Sequence, residues 1–267
     1  MMKVRKWALL LVCGWAAACT RTPRSPEQAI QRVDDRVYYP ERLGLKRLTA
    51  EVDCPYLDEH FQNKVLPDTE AARSLKNFLP LKIRFSWEAK QGGRYEYLSV
   101  PEAEKESRAF LDQAFSGTEI LVMPPTEAEN FRPFNLSFGP WQDKFRIIGV
   151  NREPGSDFIQ YSVIVDQAFR IVTKQYFSRE YVSTTQPTYR EENQKLLLTD
   201  LVTVQKPETP DPEVVSEAHL TYSQVQGFML VKSLEYVFKQ RSRDQEKVFR
   251  GPLLINFRNY SIETEAR

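Results

Sequence analysis

The sequence predicts a mainly β fold of the α+β class: a curved antiparallel sheet or incomplete β-barrel of about ten or eleven strands, with a few helices covering its concave face. Three observations lead there. From Leu45 onward, apolar residues recur at every second position in one stretch after another, which is the period of a strand with one buried face. The connections between these stretches are short. Parallel strands need a crossover of about a dozen residues, so neighbours must pair antiparallel. Helical spacing is confined to the first half of the chain. A sheet with one apolar face must curl on itself or be covered, and the early helices can cover it.

The first segment stands outside that fold. Lys3, Arg5 and Lys6 precede an apolar run from Trp7 to Trp15, as in the charged and apolar regions of an export signal. The run is too short to span a bilayer, which takes about 20 apolar residues. Ala16, Ala17 and Ala18 are the small residues a signal peptidase requires, and Cys19 follows them directly. This segment resembles the lipobox of bacterial lipoproteins, with Ala16 where leucine is usual. The resemblance implies cleavage before Cys19 and a diacylglycerol anchor on it. The alternative is a plain cleaved signal that leaves Cys19 without a role. On the lipobox reading, residues 1–18 are the signal peptide, 19–24 a tether and 25–267 a single domain. Thr20 stands where some enteric bacteria read Asp as an inner-membrane retention signal. The expected location is therefore the outer membrane, facing the periplasm.

Ser25 as N-cap, Pro26 at the first helical position and Gln28 in a capping box predict a helix. Ala29, Ile30, Val33 and Val37 share one face, leaving Asp34, Asp35 and Arg36 to solvent, and Pro40 ends it. Its polar face mixes charge signs where membrane-surface helices favour Lys and Arg, so it is expected to pack on its own domain. Leu48, Ala50, Val52 and Cys54 then alternate with Thr49, Glu51 and Asp53 in a first strand. A short helix is expected across Asp68 to Phe78. Leu81, Ile83, Phe85 and Trp87 alternate with Lys82, Arg84, Ser86 and Glu88. A turn at Gln91 to Gly93 leads into a returning strand. A second long helix runs from Pro101 to about Phe115, with Phe110, Leu111, Ala114 and Phe115 on one side, and Gly117 stops it.

Beyond Gly117 the chain is expected to be almost wholly β. Strands are predicted at Phe134–Phe138, Phe145–Gly149, Phe158–Val165, Phe169–Phe177, Glu180–Thr185, Lys195–Val204, Glu213–Tyr222 and Phe228–Phe238. Turns fall at Asp166-Gln167 and Gln226-Gly227, and a Pro-rich acidic loop at Lys206 to Glu213. Gly251–Ile262 is expected to close the sheet.

Charge and cysteine usage narrow the function classes. The chain has 37 Lys and Arg against 36 Asp and Glu, a net charge of +1; losing Lys3, Arg5 and Lys6 with the signal turns that to −2. No basic patch suits a phosphate backbone, so nucleic acid is excluded as a partner. Cys13 leaves with the signal and Cys19 takes lipid, so Cys54 is a lone thiol with no internal disulfide. With His60 and His219 as the only histidines, no Cys/His metal cluster can be assembled, and no cofactor is expected. Cys54, Asp58 and His60 are close in sequence, but such groups usually meet only in the fold, so Cys54 is read as a buried strand residue. The acidic pairs Asp34-Asp35 and Glu191-Glu192 sit in polar surroundings. There is no G-x-S-x-G and no Gly-rich phosphate cradle. A non-enzymatic protein is expected.

Five stretches, "RLGLKRLTAEVDC", "WEAKQGGRYEYLSV", "VIVDQAFRIVTKQYF", "LTYSQVQGFMLVKSLEYVF" and "INFRNYSI", follow one another along most of the chain. Together with the lipobox, their layout resembles the LolA/LolB-like superfamily of bacterial envelope proteins, with Val231 where relatives often carry proline. The resemblance implies an incomplete antiparallel barrel with a helical lid and an apolar cavity that receives acyl chains of lipids or lipoproteins. No position here matches the family's ligand-releasing arginine or the protruding apolar loop residue, so lipoprotein transport itself is not carried over. The stripe Ile83, Phe85 and Trp87 is either ordinary core or the wall of that cavity. The leading expectation is a membrane-anchored protein that binds apolar groups through these three residues. The alternative is an anchored structural or adaptor lipoprotein without a ligand. The protein partner is left open.

Overall fold

The computed structural model describes residues 23–55, 57, 70–207, 212–241 and 246–265. Cys19, Asp58 and His60 lie outside them. A single sheet of twelve antiparallel strands runs through the described residues, curved and unclosed, against the ten or eleven expected. The strands are β1 (Leu45–Asp53), β2 (Ile83–Glu88), β3 (Gly92–Tyr97), β4 (Phe134–Trp141), β5 (Lys144–Asn151), β6 (Phe158–Val165), β7 (Ile171–Ser178), β8 (Tyr181–Glu192), β9 (Lys195–Pro207), β10 (Glu213–Val225), β11 (Phe228–Arg241) and β12 (Glu246–Thr264). From β4 to β12 each strand pairs with the next in the chain, as short connections demand. β12 does not close the sheet. It lies inside it, hydrogen-bonded to β11 on one side and β1 on the other, and it joins the β1–β3 unit to the rest. The two edges are β3 and β4.

Five helices are described: α1 (Pro26–Arg36), α2 (Glu70–Leu75), α3 (Lys105–Phe115), α4 (Glu119–Val122) and α5 (Glu127–Asn130). The Ser25 hydroxyl accepts the Gln28 amide at 3.3 Å, while Gln28 Oε1 takes the amide of Arg24, one residue before the N-cap. α1 stops at Arg36 rather than Pro40, because Val37 turns extended and bridges to Leu196. α3 begins at Lys105, four residues after the expected Pro101, and Gly117 follows it with φ +81°, a value glycine adopts without strain. α4 and α5 break the expected run of strands after Gly117. Their stretch carries its own start signal, a capping box in which Thr126 and Glu129 satisfy each other's backbone amides.

Two apolar clusters fill the covered face. One joins β1, β2, β12, β11 and β10 to α3 and α4; the other joins α1 to β4–β7. Expected strand faces hold: Leu48, Ala50, Val52 and Cys54 are buried, as are Ile83, Phe85 and Trp87. Gly149 occupies an inward position because a Cβ there would lie 2.6 Å from the Cβ of Phe134. The α1 face departs from expectation at Asp34 and, in part, at Arg36, whose Nε is buried. Asp34, read as solvated, is 4% exposed and lies against α5.

Candidate functional site

The β2 stripe divides into two environments. Ile83 and Phe85 are packed: Phe85 is wholly buried, with its ring 5.3 Å from Tyr95 and 5.8 Å from Phe257. It lies across Gly93 of the neighbouring strand, where a Cβ would fall 2.8 Å from the ring, so the pairing of Trp87 with Gly93 leaves room for Phe85 beside it. Trp87, one step further along β2, is 7% exposed and borders open space.

That space is a cleft of 290 Å³. On one side are Tyr39, Pro40 and Glu41, which carry the chain from α1 into a 3-10 turn at Glu41–Leu43. On another is the β2–β3 turn, where Lys90 adopts φ +71° and Gly92 φ +84°. The third side is α4 and the segment leading to α5: Glu119, Ile120, Met123, Pro124, Pro125, Thr126 and Glu129. Local chemistry holds each side. Thr118 Oγ1 donates to the Phe115 carbonyl at 2.6 Å and accepts the half-buried Tyr95 hydroxyl at 2.9 Å, fixing α4 to β3. Pro124 and Pro125 limit the backbone before the Thr126–Glu129 capping box. Trp87 and Met123 are buried around the cleft, while Ile120 is 55% exposed beside it. Three carboxylates and one ammonium share the rim. Burial raises the Glu41 carboxyl above its usual value, the Glu129 carboxylate raises it further, and Lys90 opposes both.

A second cluster lies beside the cleft, and the sequence alone did not assemble it. Glu127 is wholly buried, and its carboxylate accepts the Tyr161 hydroxyl at 2.6 Å and pairs with the Lys174 ammonium. Its backbone N–H donates to Asp34 Oδ1 at 2.8 Å, and the Ala128 N–H donates to Asp34 Oδ2 at 3.2 Å. The Tyr161 and Tyr176 rings stack with centroids 4.3 Å apart. Burial opposes the charge on Lys174, but Glu127 together with Tyr189 and Tyr176 outweighs it and holds the ammonium above its ordinary pKa. Burial, and then the Glu127 carboxylate, keep the Tyr161 hydroxyl protonated well beyond the usual tyrosine range. The cluster ties α1, α5, β6 and β7 together through paired charges and satisfied donors. Asp34 had a sequence signal, since it lies four residues after Ile30 on the flank of the apolar stripe. Glu127 sits inside the Thr126–Glu129 capping pattern. Lys174 had no signal, because its partner is 47 positions away.

Elsewhere, His219 is exposed and its Nδ1 lies 2.7 Å from Asp200 Oδ1. Cys54 is buried in the first apolar cluster. Among the described residues, no group of three or more His, Cys, Asp and Glu is placed to hold a metal ion. No helix among them is long and apolar enough to cross a membrane. No family model, no curated protein and no solved structure matches this chain.

Proposed function

We propose that this chain is a bacterial envelope lipoprotein, anchored through Cys19 in the outer membrane facing the periplasm, that binds apolar groups such as the acyl chains of lipids or lipoproteins. Its mechanism is burial without chemistry. The observation that carries the reading is the Trp87 cleft, where an open curved sheet and its helical cover leave 290 Å³ between Trp87, Met123 and Ile120. That volume falls just below the roughly 300–1,000 Å³ typical of small-ligand sites, and suits a segment of one chain rather than a whole lipid. Each CH₂ buried there is worth about 0.8 kcal/mol, so several methylenes supply useful affinity. Trp87 contacts the ligand in this scheme, and Ile83 and Phe85 form the rigid wall behind it.

A neutral apolar fluorophore, N-phenyl-1-naphthylamine, tests this on the mature chain carrying Cys19→Ser. Saturable binding is expected, weakened about tenfold or more by Trp87→Ala, the loss of a large apolar contact being worth over 1.4 kcal/mol. No saturable binding would remove the apolar-ligand reading. A second reading, an anchored adaptor without a ligand, is favoured by one observation: Phe85 and its neighbours pack into a cluster filled by the protein's own side chains. The same titration separates the two.

A further inference from the structure

We infer that the Trp87 cleft selects apolar chains ending in an amine or other cationic head group over chains ending in a free carboxylate or phosphate. The inference rests on the apolar-binding reading and adds the class of head group. Glu41, Glu119 and Glu129 come from three separate elements, the 3-10 turn, α4 and α5, and converge on one cleft where, among the described residues, Lys90 alone opposes them. The three carboxylates are half-buried and Lys90 is exposed, so solvent screens the positive charge more than the negative ones. Among the described residues, neither the Glu41 nor the Glu119 carboxylate makes an ion pair. Glu129 is held by the Thr126 amide at 2.8 Å and the Thr126 hydroxyl at 3.1 Å, so it does not swing away to relieve the crowding.

Burial first, and then the Glu129 carboxylate, raise the Glu41 carboxyl against the opposing pull of Lys90. A ligand's own charge at this rim therefore meets a field of fixed sign. Its chain lies against Trp87, Met123 and Ile120, and its head sits among the carboxylates. An ammonium head is attracted there and an anionic head repelled. Trp87 and Tyr39 line the same cleft, and aromatic faces also favour a cation.

Two probes sharing one pyrene-labelled alkyl chain test the inference, one ending in trimethylammonium and the other in carboxylate. They are titrated into the mature chain carrying Cys19→Ser at low ionic strength. The ammonium probe is expected to bind at least tenfold tighter. The gap should shrink to within about twofold in Glu41→Gln/Glu119→Gln and at high salt. Unchanged binding of the neutral fluorophore by the double variant shows that the cleft is intact. Equal affinities, or a preference for the carboxylate, overturn the selectivity and leave the apolar reading standing. A gap that survives the double substitution overturns its assignment to this rim. Binding of neither probe overturns both inferences together.

Discussion

Phe85 and Trp87 occupy equivalent positions on one strand, yet their side chains do different things. Phe85 is enclosed by Tyr95, Phe257 and the bare backbone of Gly93, so its removal leaves a void that nothing nearby can fill. Truncating a packed aromatic costs about 3–5 kcal/mol, and Phe85→Ala is expected in that range. Trp87 borders the cleft and forfeits fewer contacts, so Trp87→Ala should cost measurably less. Urea unfolding of the two variants checks the order, and a larger loss for Trp87→Ala would contradict the geometry. The alternation Ile83, Phe85, Trp87 predicted burial for all three. Which one meets open space depends on α4 and the Tyr39–Glu41 segment, and strand periodicity holds no record of either.

Between elements, the Asp34 carboxylate is the join. It reaches from α1 to the first amides of α5, a helix too short to be stable alone. Asp34→Ala strands two N–H donors and is expected to cost about 1–3 kcal/mol. The charge on Asp34 also carries a penalty. Burial raises its carboxyl above the ordinary 3.8, two backbone donors oppose that, and the nearby Glu127 carboxylate adds to it. A carboxyl with a raised pKa holds its proton more tightly folded than unfolded. Its contribution therefore favours the fold below the raised value and is lost as pH rises through it. Relative to Asp34→Asn, the parent should lose stability as pH climbs from 3.8 through that value. Urea midpoints of both proteins across pH 4–7 check the sign. A difference that stays flat or grows with pH would contradict it. The sequence carried the capping pattern at Thr126 and the flank position of Asp34. Their meeting was not legible, since 93 positions separate Asp34 from the amide it accepts.

Across the whole molecule, β12 decides the architecture. Its pairing with β1 brings Leu45 opposite Thr264, so the first and last strands lie side by side inside one sheet. Contacts of such long separation close late and slow folding. The chain's address belongs to this scale as well. If Cys19 carries the anchor, Cys19→Ser should abolish incorporation of labelled fatty acid and leave the protein soluble or unprocessed. Continued acylation of that variant would remove the anchor from the proposal.

Local chemistry written in the chain determined the class of fold, the antiparallel pairing, the faces of β1 and β2, the α1 cap at Ser25 and the hairpin at Gln226-Gly227. Each depends on residues within a few positions of one another, where steric and periodic rules act directly. Tertiary structure alone decided that β12 lies inside the sheet rather than at its end. It also set Glu127 against Lys174 and Asp34 against α5, and left space beside Trp87 but not beside Phe85. These outcomes depend on which distant surfaces meet. Alternation marks a face as apolar in the same way whether a neighbouring side chain fills it or a cleft opens on it.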